Sequence, residues 1–210
     1  MTRILAVLAV VFMSALSASA ERPRPLGWAL EAMRAGSWDG AARIAARDGQ
    51  VAADVIEWHR LRAGRGTYAE ARAFLDRRRD WPGEAYLRKQ TEDAVIEEDD
   101  AAILSFFAEM PPQTPRGVLG HAAALVRADQ VGEAKADLVL AWRTMPMDAE
   151  TQDVYLAAHE DLLKPHHQAR LDAMLWEQEH EAARQMYDLV SKEERRLLRR
   201  GSRCSGGQAV

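Results

Sequence analysis

The stretch TYAEARAFL, residues 67 to 75, carries both the start and the buried face of a helix. Thr67 is placed to accept a bond from the third backbone N–H of the first turn while Glu70 reaches back to the N-cap, the reciprocal arrangement of a capping box. Tyr68, Ala71, Phe74 and Leu75 then recur at spacings of three and four, which lines them along one stripe. A stripe on so short a helix is not stable alone and needs a neighbour to bury it.

Repetition supplies the neighbour. Ser37-Trp38-Asp39-Gly40-Ala41-Ala42, Gln130-Val131-Gly132-Glu133-Ala134-Lys135 and Glu179-His180-Glu181-Ala182-Ala183-Arg184 open like Thr67-Tyr68-Ala69-Glu70-Ala71-Arg72. In each, a large residue or histidine is followed three positions later by alanine. The pattern predicts an alanine where two helices cross closely and a large residue packed into the preceding hairpin. Ser37, like Thr67, is read as an N-cap, but only Glu70 completes a box. The interval from Trp38 to Tyr68, and half of that from Tyr68 to Val131, fall near the ~34-residue period of tetratricopeptide units; the interval to His180 does not.

The rest of the chain agrees with this unit. Alternating β-branched runs are absent, and Ala, Leu, Arg and Glu dominate, residues that lose little on entering a helix. Gly36-Ser37, Gly49, Gly64-Arg65-Gly66, Trp81-Pro82-Gly83, Pro111-Pro112, Met145-Pro146 and Lys164-Pro165 punctuate the sequence, each ending one helix or starting the next. Leu30, Met33, Ala41, Ile44 and Ala45, and later Leu138, Val139 and Trp142, repeat the helical stripe. The fold expected is all-α, an irregular α-solenoid or TPR-like superhelix of about ten short helices stacked on their sequence neighbours.

The two ends read differently. Arg3, an apolar run from Ile4 to Leu16 and Ala18-Ser19-Ala20 form the three regions of an export signal, so residues 1–20 are expected to be a cleavable signal peptide and the mature chain to begin at Glu21. Removing it takes one of the 28 Lys and Arg and none of the 32 Asp and Glu, making the formal charge more negative than −4. A net acidic chain argues against a nucleic-acid partner. No stretch reaches the ~20 apolar residues of a membrane span. Cys204 is the single cysteine, and export without internal disulfides fits a bacterial periplasm. The helical domain is expected over 21–200, and Gly201 to Val210 reads as a disordered or aberrant tail that suits a truncated or frameshifted chain. Met186, Leu189, Leu197 and Leu198 would then be left uncovered in the last hairpin.

Residues that could carry chemistry each have a plainer reading. His166 and His167 are adjacent and so point about 100° apart, whereas two ligands on one helix face need spacing of three or four; no metal is expected. With Pro165 at the first helical position, both would lie in the first turn, where the helix dipole disfavours their protonation. Glu97-Glu98-Asp99-Asp100 falls at a helix break, where Asp99 or Asp100 serves as a cap. The run Asp76-Arg77-Arg78-Arg79-Asp80 reads as a solvated helix end. Trp28, Trp38, Trp58, Trp81, Trp142 and Trp176 are spread through the array and read mainly as core and hairpin packing. No phosphate loop, nucleophile elbow or zinc-protease motif is present, and no catalytic or cofactor-binding residue is assigned.

Three ordered segments carry a resemblance. Val51 to Gly64 with Trp58-His59-Arg60, Ala73 to Gly83 with Trp81-Pro82 followed by Leu87-Arg88, and Pro165 to Trp176 with His166-His167, Arg170-Leu171-Asp172 and Leu175-Trp176 resemble the N-terminal superhelix of the soluble lytic murein transglycosylases of alphaproteobacterial type. The resemblance implies a periplasmic module of an enzyme that cleaves peptidoglycan glycan strands to 1,6-anhydro products. Its catalytic glutamate would lie in a lysozyme-like domain marked by Glu-Ser and Gly-Leu-Met-Gln, and neither pair nor segment occurs in this sequence. The implied partner is the glycan strand, with Trp58, Trp81 and Trp176 as glycan-contacting or packing aromatics. The alternative is a non-catalytic periplasmic TPR-like adaptor for a protein or peptide.

Overall fold

The computed structural model describes residues 24–191. The expected signal peptide, the helix expected after Ser191 and the tail Gly201 to Val210 lie outside them, as do Leu197 and Leu198. The described residues are all-α, with no strand. Eleven α-helices follow one another: α1 Pro25–Arg34, α2 Trp38–Ala45, α3 Gln50–Arg62, α4 Tyr68–Arg77, α5 Glu84–Val95, α6 Asp100–Glu109, α7 Pro115–Arg127, α8 Val131–Thr144, α9 Ala149–Leu163, α10 His167–Trp176 and α11 His180–Gln185. Short 3₁₀ turns at Ala46–Asp48 and Lys164–His166 link α2 to α3 and α9 to α10. No described helix is long and apolar enough to cross a membrane. The described residues divide into two compact units between Arg60 and Leu61.

The first unit is built on a hairpin of α1 and α2. Ala29, Ala41, Ala45, Ala52 and Ile56 are buried together, with Leu30, Met33 and Ile44 packed around them. Leu30, Met33, Ala41, Ile44 and Ala45 are the stripe positions read from the sequence, and Ala29, Ala52 and Ile56 join them. Four alanines among the five residues buried together explain how short helices close up: without side-chain bulk, the backbones can approach and exclude water along the seam.

In the second unit most helices pack on the next one and several also on the next but one. Helices α7 and α8, α8 and α9, and α10 and α11 pack as neighbours, while α5 meets α7, α7 meets α9 and α8 meets α10. Side chains add the same interval elsewhere. Arg72 of α4 pairs with Glu109 of α6 at 2.6 Å, and Gln152 of α9 donates to the carbonyl of Gln185 on α11. From Val118 to Val190 the buried residues form one continuous core, including Leu138, Trp142, Tyr155, Leu163, Leu171 and Met174. Contact of helices with their next and next-but-one neighbours is how stacked hairpins extend a core along a chain.

The repeated opening is a structural unit. Helices α2, α4, α8 and α11 begin at Trp38, Tyr68, Val131 and His180, and the alanines three residues on, Ala41, Ala71, Ala134 and Ala183, are all buried. Thr67 and Glu70 make the full capping box, and Asp99 caps α6 through the Ala102 N–H. Ser37 occupies the N-cap of α2 but makes no side-chain bond there, which corrects its expected role.

Three hairpins share one turn that the sequence did not announce. Gly36, Asp129 and Gln178 all adopt positive φ, at 80°, 61° and 63°. The following residue then donates back into the preceding helix: Ser37 N to Ala32 O at 2.9 Å, Gln130 N to Leu125 O at 2.8 Å and Glu179 N to Met174 O at 2.8 Å. This is the Schellman closure, which satisfies carbonyls left open at a helix C-terminus. Only the first turn uses glycine, the residue that enters the left-handed region freely.

Two expectations about the C-terminal region are corrected. Helix α9 ends at Leu163, and Pro165 lies in the 3₁₀ turn Lys164–His166 rather than at the start of the α-helix, so of the two histidines only His167 belongs to α10. Met186 is fully buried rather than exposed, because it closes the core with Ala182, Ala183 and Val190.

Candidate functional site

Of the expected aromatic residues, Trp58 belongs to the first unit and Trp81 and Trp176 to the second. In the first unit, half-buried Trp58 packs edge-on against His59, with ring centroids 4.9 Å apart. In the second, Trp81 is taken up by Phe74 at 5.7 Å and by the Arg78 guanidinium above its ring. Trp142 is completely buried, as packing requires. Trp176 departs from the packing reading: at the last position of α10 it stands 86 % exposed. The reason is angular, since the buried face of α10 runs through His167, Arg170, Leu171 and Met174, and position 176 falls off that stripe. Beside it, Thr144, Pro146, Ala173, Glu177 and Glu179 line a cleft of about 280 Å³. Ala173 and Glu177, three residues before and one after Trp176, belong to this lining, and the indole itself does not.

The motif around the double histidine is structural. His167 is buried against the Trp142 ring, with centroids 5.4 Å apart. Burial, ahead of nearby charges, pushes its pKa down, so desolvation rather than the helix dipole keeps the imidazole neutral. Arg170 is completely buried and lies 4.6 Å above the Trp142 ring. Its Nη1 donates to the carbonyls of Trp142 at 2.6 Å and Met145 at 2.8 Å. A guanidinium on the last carbonyls of α8 meets the negative end of that helix. Tyr155 stacks on Trp142 and donates to the Pro115 carbonyl at 2.8 Å, tying α9 to the start of α7.

Two more polar joints hold the array. Glu109 of α6 receives Arg72 from α4 and Arg88 from α5, and Arg88 also pairs with Glu84 at 2.8 Å. The Arg72 hydrogen bond is the largest reason the Glu109 carboxyl sits below its usual range. Glu92, buried on α5, accepts from the Gln113 N–H at 2.6 Å and from both the N–H and hydroxyl of Thr114. Burial outweighs these bonds and raises its pKa. A Cβ at Gly117 would collide with this carboxylate, and one at Gly120 with Ile96, so α7 approaches α5 through two glycines. These carboxylates are engaged in fastening helices, and among the described residues no three His, Cys, Asp or Glu side chains converge as a metal cluster would.

A groove larger than the cleft near Trp176 lies elsewhere in the second unit and was not foreseen. Helix α9 breaks its helical dihedrals at His159, with φ −140° and ψ 26°, and a groove of about 650 Å³ opens beside the break. Val126, Val131, Ala134 and Leu138 from α7 and α8 contribute apolar lining. Lys135 comes from α8, while His159, Glu160 and Asp161 come from the α9 side. Burial lowers the pKa of His159, leaving a neutral imidazole at neutral pH. Lys135, Glu160 and Asp161 make no ion pair with any described residue. The sequence offered one signal, Val126 and Val131 on either side of a turn, but no residue pattern marks the break.

Comparisons of the chain with family models, curated proteins and solved structures found no match.

Proposed function

We propose that the chain is a helical-repeat binding module for peptidoglycan glycan strands, the superhelical part of a periplasmic lytic murein transglycosylase. Catalysis is assigned to a lysozyme-like domain outside this sequence. The observation that carries the reading is Trp176: an indole left almost wholly in water at the end of a helix whose buried face is packed, with the exposed Glu177 next to it in sequence. An indole face stacks on the C–H face of a sugar ring, and an adjacent carboxylate accepts from its hydroxyls. The burial of His167 and Arg170 supports a scaffold role for the segment that carries the resemblance.

Co-sedimentation of the purified chain with protein-stripped sacculi tests this. Wild type is expected to pellet with the sacculi, Trp176→Ala to remain largely in solution, and no 1,6-anhydromuropeptides to form. Equal pelleting of both proteins would remove Trp176 from the site. Failure of wild type to pellet would overturn the glycan reading, and release of anhydro products would overturn the assignment of catalysis elsewhere. A second reading, a periplasmic TPR-like adaptor for a protein or peptide, is favoured by the groove at the α9 break.

A further inference from the structure

The groove beside His159 carries more information than its size. Its volume of about 650 Å³ lies in the range of small-molecule and short-peptide sites, ~300–1,000 Å³. Val126 and Val131 are exposed apolar side chains at its mouth, and water gains nothing from covering them. Across this apolar floor the charges are sorted: a cation, Lys135, on the α8 wall, and two anions, Glu160 and Asp161, on the α9 wall. None is neutralised by a neighbouring described side chain.

Such sorting discriminates between ligands. A neutral sugar chain would cover both walls and leave three charges desolvated without partners, a cost with no return. A polyanion would meet two carboxylates, and a polycation would meet Lys135. A ligand that presents an ammonium to one wall, a carboxylate to the other and apolar side chains between them meets every feature. We propose that this groove binds a short zwitterionic peptide, its amino group toward Glu160 and Asp161, its carboxylate toward Lys135 and an apolar side chain over Val126 and Val131. His159, at the broken backbone of the α9 wall, is placed to exchange hydrogen bonds with the peptide amide. The proposal rests on the peptide-binding reading of this groove and does not depend on glycan binding at Trp176.

Calorimetric titration of the full chain with the tetrapeptide Ala-Leu-Ala-Leu, free at both ends, tests it against the N-acetylated and C-amidated forms. The free peptide is expected to bind saturably with Kd on the order of 1 mM or tighter, and blocking either end to weaken it by roughly two- to fivefold, the effect of an exposed charge pair. Lys135→Met should abolish the difference between free acid and amide while keeping that between free and acetylated amine. The double variant Glu160→Gln, Asp161→Asn should do the reverse. All three residues are exposed, so the variants are expected to keep the wild-type circular dichroism. Trp176→Ala should bind the peptide as wild type does, which separates this result from the sacculus assay. Equal affinity for free and blocked peptides, or no saturable binding at about ten times that Kd, would overturn the proposal.

Discussion

Replacing Arg170 by methionine tests the central joint of the second unit. The guanidinium is wholly buried, held on two backbone carbonyls and one indole face. Burial pushes its pKa down to about 10. At about 1.4 kcal/mol per tenfold change in proton affinity, keeping it charged at neutral pH costs about 3 kcal/mol. Because a pKa shift is the net of charged contacts against desolvation, what favours wild type is the pairing of the Trp142 and Met145 carbonyls, each costing ~1–3 kcal/mol if left unsatisfied. Methionine nearly fills the space and removes the desolvation cost. It also removes both donors and strands the carbonyls of Trp142 and Met145. The expected loss is about 2–4 kcal/mol in urea unfolding followed by far-ultraviolet circular dichroism, with the denaturant slope unchanged. Sign follows from the lowered pKa: the penalty on wild type is complete below about pH 10 and relieved above it, because the unfolded chain then holds a proton that the folded chain has released. The stability difference should therefore be flat through neutral pH and move toward wild type above pH 10. Arg170→Met as stable as wild type, or more so, would refute the reasoning by showing that desolvation outweighs the bonds, as it does for some buried ion groups.

Asp129→Gly should stabilise the chain by about 1 kcal/mol, read as a raised urea midpoint, since φ is 61° there and a left-handed L-residue carries roughly that strain. Glu92 provides a pH signature. Its carboxyl is raised by burial, so its contribution to stability improves as pH falls through the folded pKa toward the ordinary carboxylate value. The stability of wild type relative to Glu92→Ala should widen in wild type's favour between neutral and mildly acidic pH, measured by chemical denaturation at each.

Much of the helical plan was readable because it depends on local chemistry and on period. The capping box at Thr67 and Glu70, the Asp99 cap and the buried alanines Ala41, Ala71 and Ala134 occur as the spacing demands. Ser37 shows the limit: a suitable cap residue at the right position makes no side-chain bond, since capping also needs the backbone to present the N–H groups. The candidate sites were less legible. Trp81 and Trp176 look equivalent as residues beside apolar stripes, yet one is half-covered by Phe74 and Arg78 and the other stands in water. Trp81 lies in the turn between α4 and α5, where its ring meets Phe74, while Trp176 ends α10 off that helix's buried stripe.

By itself the sequence determined that the described chain is all helix, where most helices start and which faces they bury, because the 3.6-residue period and capping act within a few residues. Tertiary structure alone decided that Asp129 and Gln178 take the turn glycine takes at Gly36, and that His167 is neutral through burial. It also decided that α9, with neither proline nor glycine inside it, breaks at His159 and opens a groove. For His167 the burial comes from Trp142 on another helix, whereas the Asp129 and Gln178 turns close on the nearby carbonyls of Leu125 and Met174 through residue types that do not announce a left-handed backbone.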